Sequence, residues 1–326
     1  MRSPRIPMWA RLAAAAIVTV TAAAGCSSAS SGSTAASSAG TGNTVNSTWP
    51  TTITLGSVGE DNATSLMQSM QPLADLLKAK MDVTLKVTVG TSYAAMIEAQ
   101  KADKAQLVIY GPFSYEIAVN QGVKIQNVGL TTDAPNTDGG YYSEAVVDPQ
   151  RTPDITSLKD AGGKKVCFSD PASTSGYLYP SYGLLEDGIS PTTGVTPVFA
   201  GSDSTTAIDT AGGSCEIGFT NTDNLPPIFT ANHISKSAIK VIWKSQEIPA
   251  SPIAASDSLP ASFRSTLENL LITDGNSAYY AAHGYCSSTA ACTTATGQYG
   301  FANPDLASYT PILQICKVTK SPSCNV

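Results

Sequence analysis

Histidine is almost missing from this chain, with only His233 and His283 among 326 residues. No Cys-x-x-Cys pair stands beside them, so the usual ligand sets of a zinc site cannot be assembled, and neither a metal nor another cofactor is expected. Charge is scarce too. Asp, Glu, Lys and Arg make up 13% of the residues, about half the usual ~25%, which leaves Ser, Thr, Asn and Gly to cover much of the surface and suits an extracytoplasmic protein. The chain also lacks a long apolar run: Leu12 to Gly25, about 14 residues, falls short of the ~20 that a spanning helix needs. Hydrolase signatures are missing as well. No Gly-x-Ser-x-Gly elbow occurs, and Ser237-Ala238-Ile239-Lys240 fits Ser-x-x-Lys but runs into an apolar strand and has no Lys-Thr-Gly partner.

The N-terminus is the first positive signal. Arg2, Arg5 and Arg11 precede the apolar stretch, which closes on Ala23-Ala24-Gly25 before Cys26, the pattern of a secretion signal. Its end resembles a bacterial lipobox, so residues 1–25 are read as a lipoprotein signal peptide and Cys26 as the lipidated residue. Removal of the signal takes away three arginines and no acid, leaving 16 basic against 25 acidic side chains, a net charge of −9. Nucleic acid and anionic lipid surfaces are poor partners for such a chain, and membrane contact is expected through the Cys26 lipid only. Residues 26–50 are rich in Ser, Thr, Ala and Gly and form a flexible tether.

Of the seven cysteines, an even six remain once Cys26 is set aside. In an oxidising compartment six can pair completely. Cys286 with Cys292 and Cys316 with Cys324 are near enough in sequence to close short loops, which leaves Cys167 with Cys215.

Along the rest of the chain, strands and helices alternate. Residues 52–58, 83–89, 107–111 and 123–130 read as strands, separated by helical spacing over 64–80, 92–104 and 113–121. A second series follows from Tyr141, with strands in 164–169, 195–201, 215–221 and 238–243 and helices over 176–186 and 205–210. An extended return at 248–256 and a helix over 262–271 complete it, and the end reads as a helix plus a disulfide-pinned loop. Alternation of this kind predicts an α/β fold of two lobes, each a mostly parallel sheet flanked by helices and joined by two crossing segments. Residues 51–143 and 253–326 are assigned to lobe 1 and 144–252 to lobe 2. Ligands of such folds bind between the carboxyl ends of the strands.

One stretch at such an end is unusual. In "SDPASTSGYLYP", Ser169 to Pro180, three hydroxyl residues, Ser173, Thr174 and Ser175, and Gly176 stand between an apolar strand and a helix. Unpaired N–H groups of a first helical turn, with the positive dipole end behind them, form an anion site. By itself the stretch also fits an ordinary N-cap. Thr91-Ser92-Tyr93 and Tyr110-Gly111-Pro112 repeat the arrangement, and for each the alternative is a cap or a core tyrosine.

Those segments, with "TSYAAMIEAQKADKAQLVIYGPFSYEIA", "FAGS" and "FTNTDNL", resemble the phosphate-, phosphite- and phosphonate-binding proteins of ABC importers, in order from Ile53 to Leu259. The resemblance implies a type II periplasmic-binding-protein fold, a monomer, whose two lobes close on a small phosphorus oxyanion and deliver it to a permease with its ATPase. Carried onto this chain it implies ligand contacts from Tyr93, Tyr110 and Gly111 on one side and Ser173, Thr174 and Ser175 on the other. Asn221 and Asp223 stand for an Asn-Asp pair facing the substituent. The chain departs from the family after Gly201, where Ser202-Asp203-Ser204 replaces a run that commonly holds histidine. Asp203 could repel a dianion, accept from a protonated oxygen, or face outward as a helix cap, and the outward role is the expectation. Receptors for other small anions, or a secreted serine hydrolase, are the alternative functions.

Overall fold

The computed structural model describes residues 48–58, 63–137, 139–231, 234–292, 298–304 and 309–324, all within one compact unit, Asn43–Val326. Cys26, the signal, His233 and most of the tether lie outside the described residues. Among the described residues no helix is long and apolar enough to cross a membrane.

Two sheets carry the architecture. The first holds β1 (Thr52–Val58), β2 (Thr84–Gly90), β3 (Leu107–Ile109), β4 (Ile125–Thr132), β10 (Pro252–Ser256) and β11 (Gly300–Ala302), in the order β11-β4-β10-β3-β1-β2. The second holds β5 (Ser143–Val147), β6 (Lys165–Phe168), β7 (Thr196–Phe199), β8 (Ile217–Asn221) and β9 (Lys240–Lys244), in the order β7-β6-β8-β5-β9. Helices α1 (Ala63–Met81), α2 (Tyr93–Lys101), α3 (Pro112–Asn120) and α7 (Ala261–Asp274) flank the first sheet, and α4 (Tyr179–Glu186), α5 (Asp203–Ala211) and α6 (Leu225–Ala231) the second.

The elements follow from residue patterning. Along α1, Leu66, Met70, Leu73 and Leu77 recur every three or four positions and are all buried, one stripe of a 3.6-residue period. They pack on Ile53 and Leu55 of β1 and Leu107 of β3, and each such side chain fully buried contributes roughly 1.5–3 kcal/mol. In the second sheet Val166 and Phe168 of β6 and Ile217 and Phe219 of β8 form the matching core, with Phe168 and Phe219 stacked at 5.4 Å.

Neither sheet is as uniformly parallel as the alternation suggests. β1 pairs in parallel with β2 and β3, and β6 with β7 and β8, but β10 is antiparallel to β3 and β4, and β5 to β8 and β9. The cause is topological. The chain leaves β4 at its carboxyl end, crosses to the second sheet and enters β5 from the side facing the first, so β5 must run against its neighbours. β10 repeats this on the return. The two crossings pair with each other through Tyr141 and Ile248, whose backbones exchange hydrogen bonds of 3.0 and 2.8 Å.

Beyond α7 lie α8 (Ser277–Ala282), β11 and α9 (Thr310–Thr319); three-residue β11 pairs with β4 through Gly300–Ala302. Helix α9 joins the seam between the sheets, where Ile312 and Ile315 share an apolar cluster with Tyr110, Phe113, Leu178 and Tyr179. Disulfides join Cys167 to Cys215, Cys286 to Cys292 and Cys316 to Cys324, with Cα separations of 5.9, 5.6 and 5.4 Å.

Candidate functional site

The carboxyl ends of β1, β3, β6 and β8 converge on one cleft of about 90 Å³. That is far below the ~300–1,000 Å³ of pockets that take drug-sized ligands, and of the order that a small oxyanion fills.

The second-sheet wall is built from the turn after β6. Asp170 accepts from Ala172 N–H (2.7 Å) through one carboxylate oxygen, which tightens the turn. Ser173 then caps a π-helical turn, Thr174–Leu178, its Oγ accepting from Gly176 N–H at 3.0 Å. The wider i→i+5 winding appears in Leu178 N–H to Ser173 C=O (3.0 Å), and single π turns of this kind occur frequently at functional sites. Only after it does α4 begin, at Tyr179 rather than at Gly176. Gly176 lies so close to the strand that a Cβ there would overlap Ser169 Oγ and stand 2.7 Å from Asp203 Oδ1.

Tyr93, Tyr110 and Gly111 line the cleft from the first sheet, and Ser173, Ser175, Asn221 and Asp223 from the second. Thr174 takes another position. Its hydroxyl accepts from Phe113 N–H at 3.0 Å, across the seam at the start of α3. A Cβ on Gly111 would stand 2.7 Å from that same Thr174 hydroxyl, so glycine permits the approach. Asp170 makes a second bridge, its other carboxylate oxygen accepting from Tyr93 N–H at 3.3 Å. The two walls are thus held together on both flanks of the cavity.

Several lining residues have no counterpart in the sequence expectations. Ser57 is the penultimate residue of β1, Asp170 follows β6, and Tyr141 and Ser251 sit on the crossing segments. Strand ends are where a search would look, but nothing in the local sequence marks the crossing segments. The largest correction concerns Asp203. It does not face outward: Ser202 caps α5, accepting from Thr205 N–H at 3.0 Å, and Asp203 turns into the cleft, where it is buried and accepts from Ser175 Oγ at 3.2 Å.

Electrostatically the site is unusual for an anion. Among the described residues lining it there is no Lys, Arg or His, yet Asp170, Asp203 and Asp223 are all present. Burial pushes the Asp203 carboxyl upward, partly offset by the hydroxyls of Ser169 and Ser175. Burial likewise pushes Asp223 up to about 6, aided by the negative charges of Asp133 and Glu144. One donor stands ready without an internal partner. The Tyr110 hydroxyl is buried and makes no hydrogen bond within the protein, while Ser169 Oγ is turned toward the Asp203 carboxylate. A buried polar group left unmade costs about 1–3 kcal/mol, so the Tyr110 hydroxyl awaits something in the cavity.

The Asp223 shift has a consequence for stability. A carboxyl whose folded value lies above its unfolded one contributes stability that is complete below about 4 and is lost as pH rises through about 6. Asp223→Asn removes that loss. Thermal melts of the ligand-free protein are expected to show the variant more stable than the wild type at pH 8 and equal to it at pH 4. A gain of the same size at both values would contradict the assignment.

Residues 56–309 match the model of a family described as ABC transporter, phosphonate, periplasmic substrate-binding protein. The phosphate-import protein PhnD of Mycolicibacterium smegmatis is 30% identical over 284 residues, covering 85% of this chain and 88% of its own. The phosphonates-binding periplasmic protein of Escherichia coli is 29% identical over 206 residues, 62% of this chain and 60% of its own. Two solved structures share the two-lobed fold. The binding-protein component of an ABC phosphonate transporter from Pseudomonas aeruginosa has a TM-score of 0.70 at 22% identity, covering 83% of this chain and 87% of that one. PhnD1 from Prochlorococcus marinus, in complex with methylphosphonate, has 0.69 at 18% identity, covering 83% and 99%. With two sheets meeting at a donor-lined cleft and a family match across most of its length, the chain belongs to the periplasmic substrate-binding proteins of ABC phosphonate transporters, which are extracytoplasmic binding components and not enzymes.

Proposed function

We propose that the chain captures a phosphorus oxyanion, whether phosphonate, phosphite or phosphate, between its two lobes and hands it to an ABC permease without chemical change. The observation that carries this reading is the convergence of uncharged donors on one small cavity, with the Tyr110 hydroxyl left unpartnered there. The names of relatives agree in class: one is a phosphate importer and one holds methylphosphonate. In this reading Tyr93, Tyr110 and Gly111 contribute from the first lobe and Ser173 and Ser175 from the second. Thr174 works indirectly, by latching the lobes. Asn221 and Asp223 face the substituent on phosphorus. Cys26 carries the lipid, residues 26–50 give reach, and the protein works as a monomer.

Neutral donors suffice energetically. Hydrogen bonds to a charged group contribute ~1.5–3 kcal/mol each, so about five give roughly 7–15 kcal/mol gross. Association costs at least ~4 kcal/mol, and the upper part of the remainder reaches about micromolar affinity or better.

Calorimetry on the chain from Ser27 onward, which keeps the whole compact unit, tests the reading against phosphate, phosphite, methylphosphonate and 2-aminoethylphosphonate. At least one is expected to bind and to be recovered unchanged. Tyr110→Phe removes a hydroxyl that makes no internal bond, so it should leave the empty protein at least as stable while weakening binding by about 1–3 kcal/mol. Failure of all four ligands to bind, or their turnover, would refute the proposal.

A further inference from the structure

Asp203 is the feature that the general reading leaves unexplained. An oxyanion site ordinarily gathers donors, and a carboxylate is acceptor-only once ionised. Yet Asp203 is 8% exposed, walls the cavity, and sits at the head of α5 without serving as its cap, since Ser202 fills that role. Its carboxylate accepts from Ser175 Oγ, at 3.2 Å to Oδ2, with the Ser169 hydroxyl and Asn221 beside it. The unpartnered Tyr110 hydroxyl belongs to the wall of the same cavity and independently marks it as a place for a ligand.

We infer that Asp203 reads the protonation state of the ligand: its carboxylate accepts a hydrogen bond from a P–OH oxygen, so the cleft holds oxyanions that carry an ionisable proton and turns away fully ionised ones such as sulfate. This inference rests on the functional reading above and specifies the ligand's form.

The argument is one of proton counting. Two anionic oxygens brought to hydrogen-bond distance in a desolvated site repel strongly, whereas one proton between them makes a short, charge-assisted O–H···O⁻ bond. No cation is at hand to relieve the repulsion. Of the elements packed on α5, the end of β6 brings Asp170, β5 brings Glu144, β8 leads into Asp223, and α6 has no ionisable residue. From the facing wall come Tyr93, Tyr110 and Tyr141; burial pushes Tyr110 and Tyr141 upward, so both remain neutral donors in mildly alkaline solution. Glu144 is faced by Lys244 of β9, but the carboxylates lining the cavity have no cation among the lining residues, and each adds to the demand for a proton. The elevation of Asp203 itself points the same way: ligand and carboxyl together keep one proton, whichever oxygen carries it.

The test is calorimetry of the same protein with inorganic phosphate, phosphite, methylphosphonate and sulfate between pH 6 and 9, in pairs of buffers that differ in ionisation enthalpy. Wild-type protein is expected to take up close to one proton per phosphite or methylphosphonate bound at pH 9, where both have lost their P–OH proton, and none with phosphate, whose dianion still carries one. Affinity for phosphite and methylphosphonate should fall about tenfold per pH unit once that proton is lost, affinity for phosphate should hold to pH 9, and the best of the three should exceed sulfate at least a hundredfold at pH 7. Asp203→Asn supplies an N–H donor, so proton uptake at pH 9 should vanish and the preference over sulfate should drop below tenfold. If that variant does not fold, the wild-type pH profile and proton count decide alone. Equal affinity for phosphite or methylphosphonate at pH 6 and 9 without proton uptake, or equal binding of sulfate, would overturn the role of Asp203 while leaving the receptor reading intact. Absence of binding by every phosphorus ligand at every pH would instead bring down that reading.

Discussion

Gly176→Ala is expected to lower ligand affinity by about two orders of magnitude or more, and to destabilise the protein as well. The added methyl would overlap Ser169 Oγ and stand 2.7 Å from both Ser169 Cβ and Asp203 Oδ1. A hydroxyl could swing away. Ser169 Cβ cannot, because its residue is fixed at both ends: Ser169 N–H donates to Gly176 C=O at 3.2 Å, and Ser169 C=O accepts from Gly201 N–H at 2.8 Å. The strand end, the π turn and the loop into α5 therefore move together or not at all. Overpacking of this kind costs roughly 1–3 kcal/mol in stability, and a misplacement of about 1 Å in a preorganised site can cost a hundredfold in function. Gly162→Ala is the control. A Cβ there meets nothing within 4 Å, and its φ of −54° suits any residue, so the change should stay within about 0.5 kcal/mol. Melting curves and calorimetry on both variants check this. Undiminished affinity in Gly176→Ala would show that the turn does not shape the binding surface.

The contrast between Gly176 and Asp203 shows what a sequence can reveal of such a site. Alternation and helical spacing report which face of an element is apolar, and Leu66, Met70, Leu73 and Leu77 betray α1 without further help. The hydroxyl-rich join after β6 is legible for a similar reason, since small donors beside a glycine at a strand end have few other uses. Periodicity carries no direction, however. The reversal of β5 and β10 arises from where the chain enters each sheet, which depends on the whole path. Three-residue β11 is too short to show a period. Asp203 was hidden by competition: in Gly201-Ser202-Asp203-Ser204 several residues can cap α5, and only the structure shows that Ser202 does so and frees its neighbour to turn inward. Tyr141 and Ser251 reach the cavity from crossing segments whose positions are set by the two sheets rather than by any local motif. Thr174 has the residue type of a ligand donor, but its hydroxyl joins the two walls.

The disulfides should differ in what they contribute, and the Cys167–Cys215 bond should matter most. It joins the end region of β6 to the residue pair before β8, two strands that are neighbours in the middle of the second sheet. Both cysteines are buried, at 0% and 4% exposure. The bond spans 48 residues, against 6 for Cys286–Cys292 and 8 for Cys316–Cys324. In the chain-entropy account the stabilisation grows with the logarithm of the closed loop, giving about 4 kcal/mol for the first and about 2–2.5 kcal/mol for the other two. Against a total of roughly 5–15 kcal/mol, loss of the long loop is a large fraction. Its buried sulfurs also leave a space that alanine does not fill, which adds to the deficit. Urea unfolding of three double variants, each replacing one cysteine pair by alanine, is expected to rank Cys167→Ala with Cys215→Ala as the least stable. The strand pair it ties together leads directly into Ser169 and Asp170 on one side and into Asn221 and Asp223 on the other. Looser tethering there should therefore also reduce ligand affinity, an effect that the distant Cys286–Cys292 loop should not share. A short-loop variant that unfolds at lower urea than the Cys167–Cys215 variant would show that local packing, rather than chain entropy, sets the contribution of these bonds.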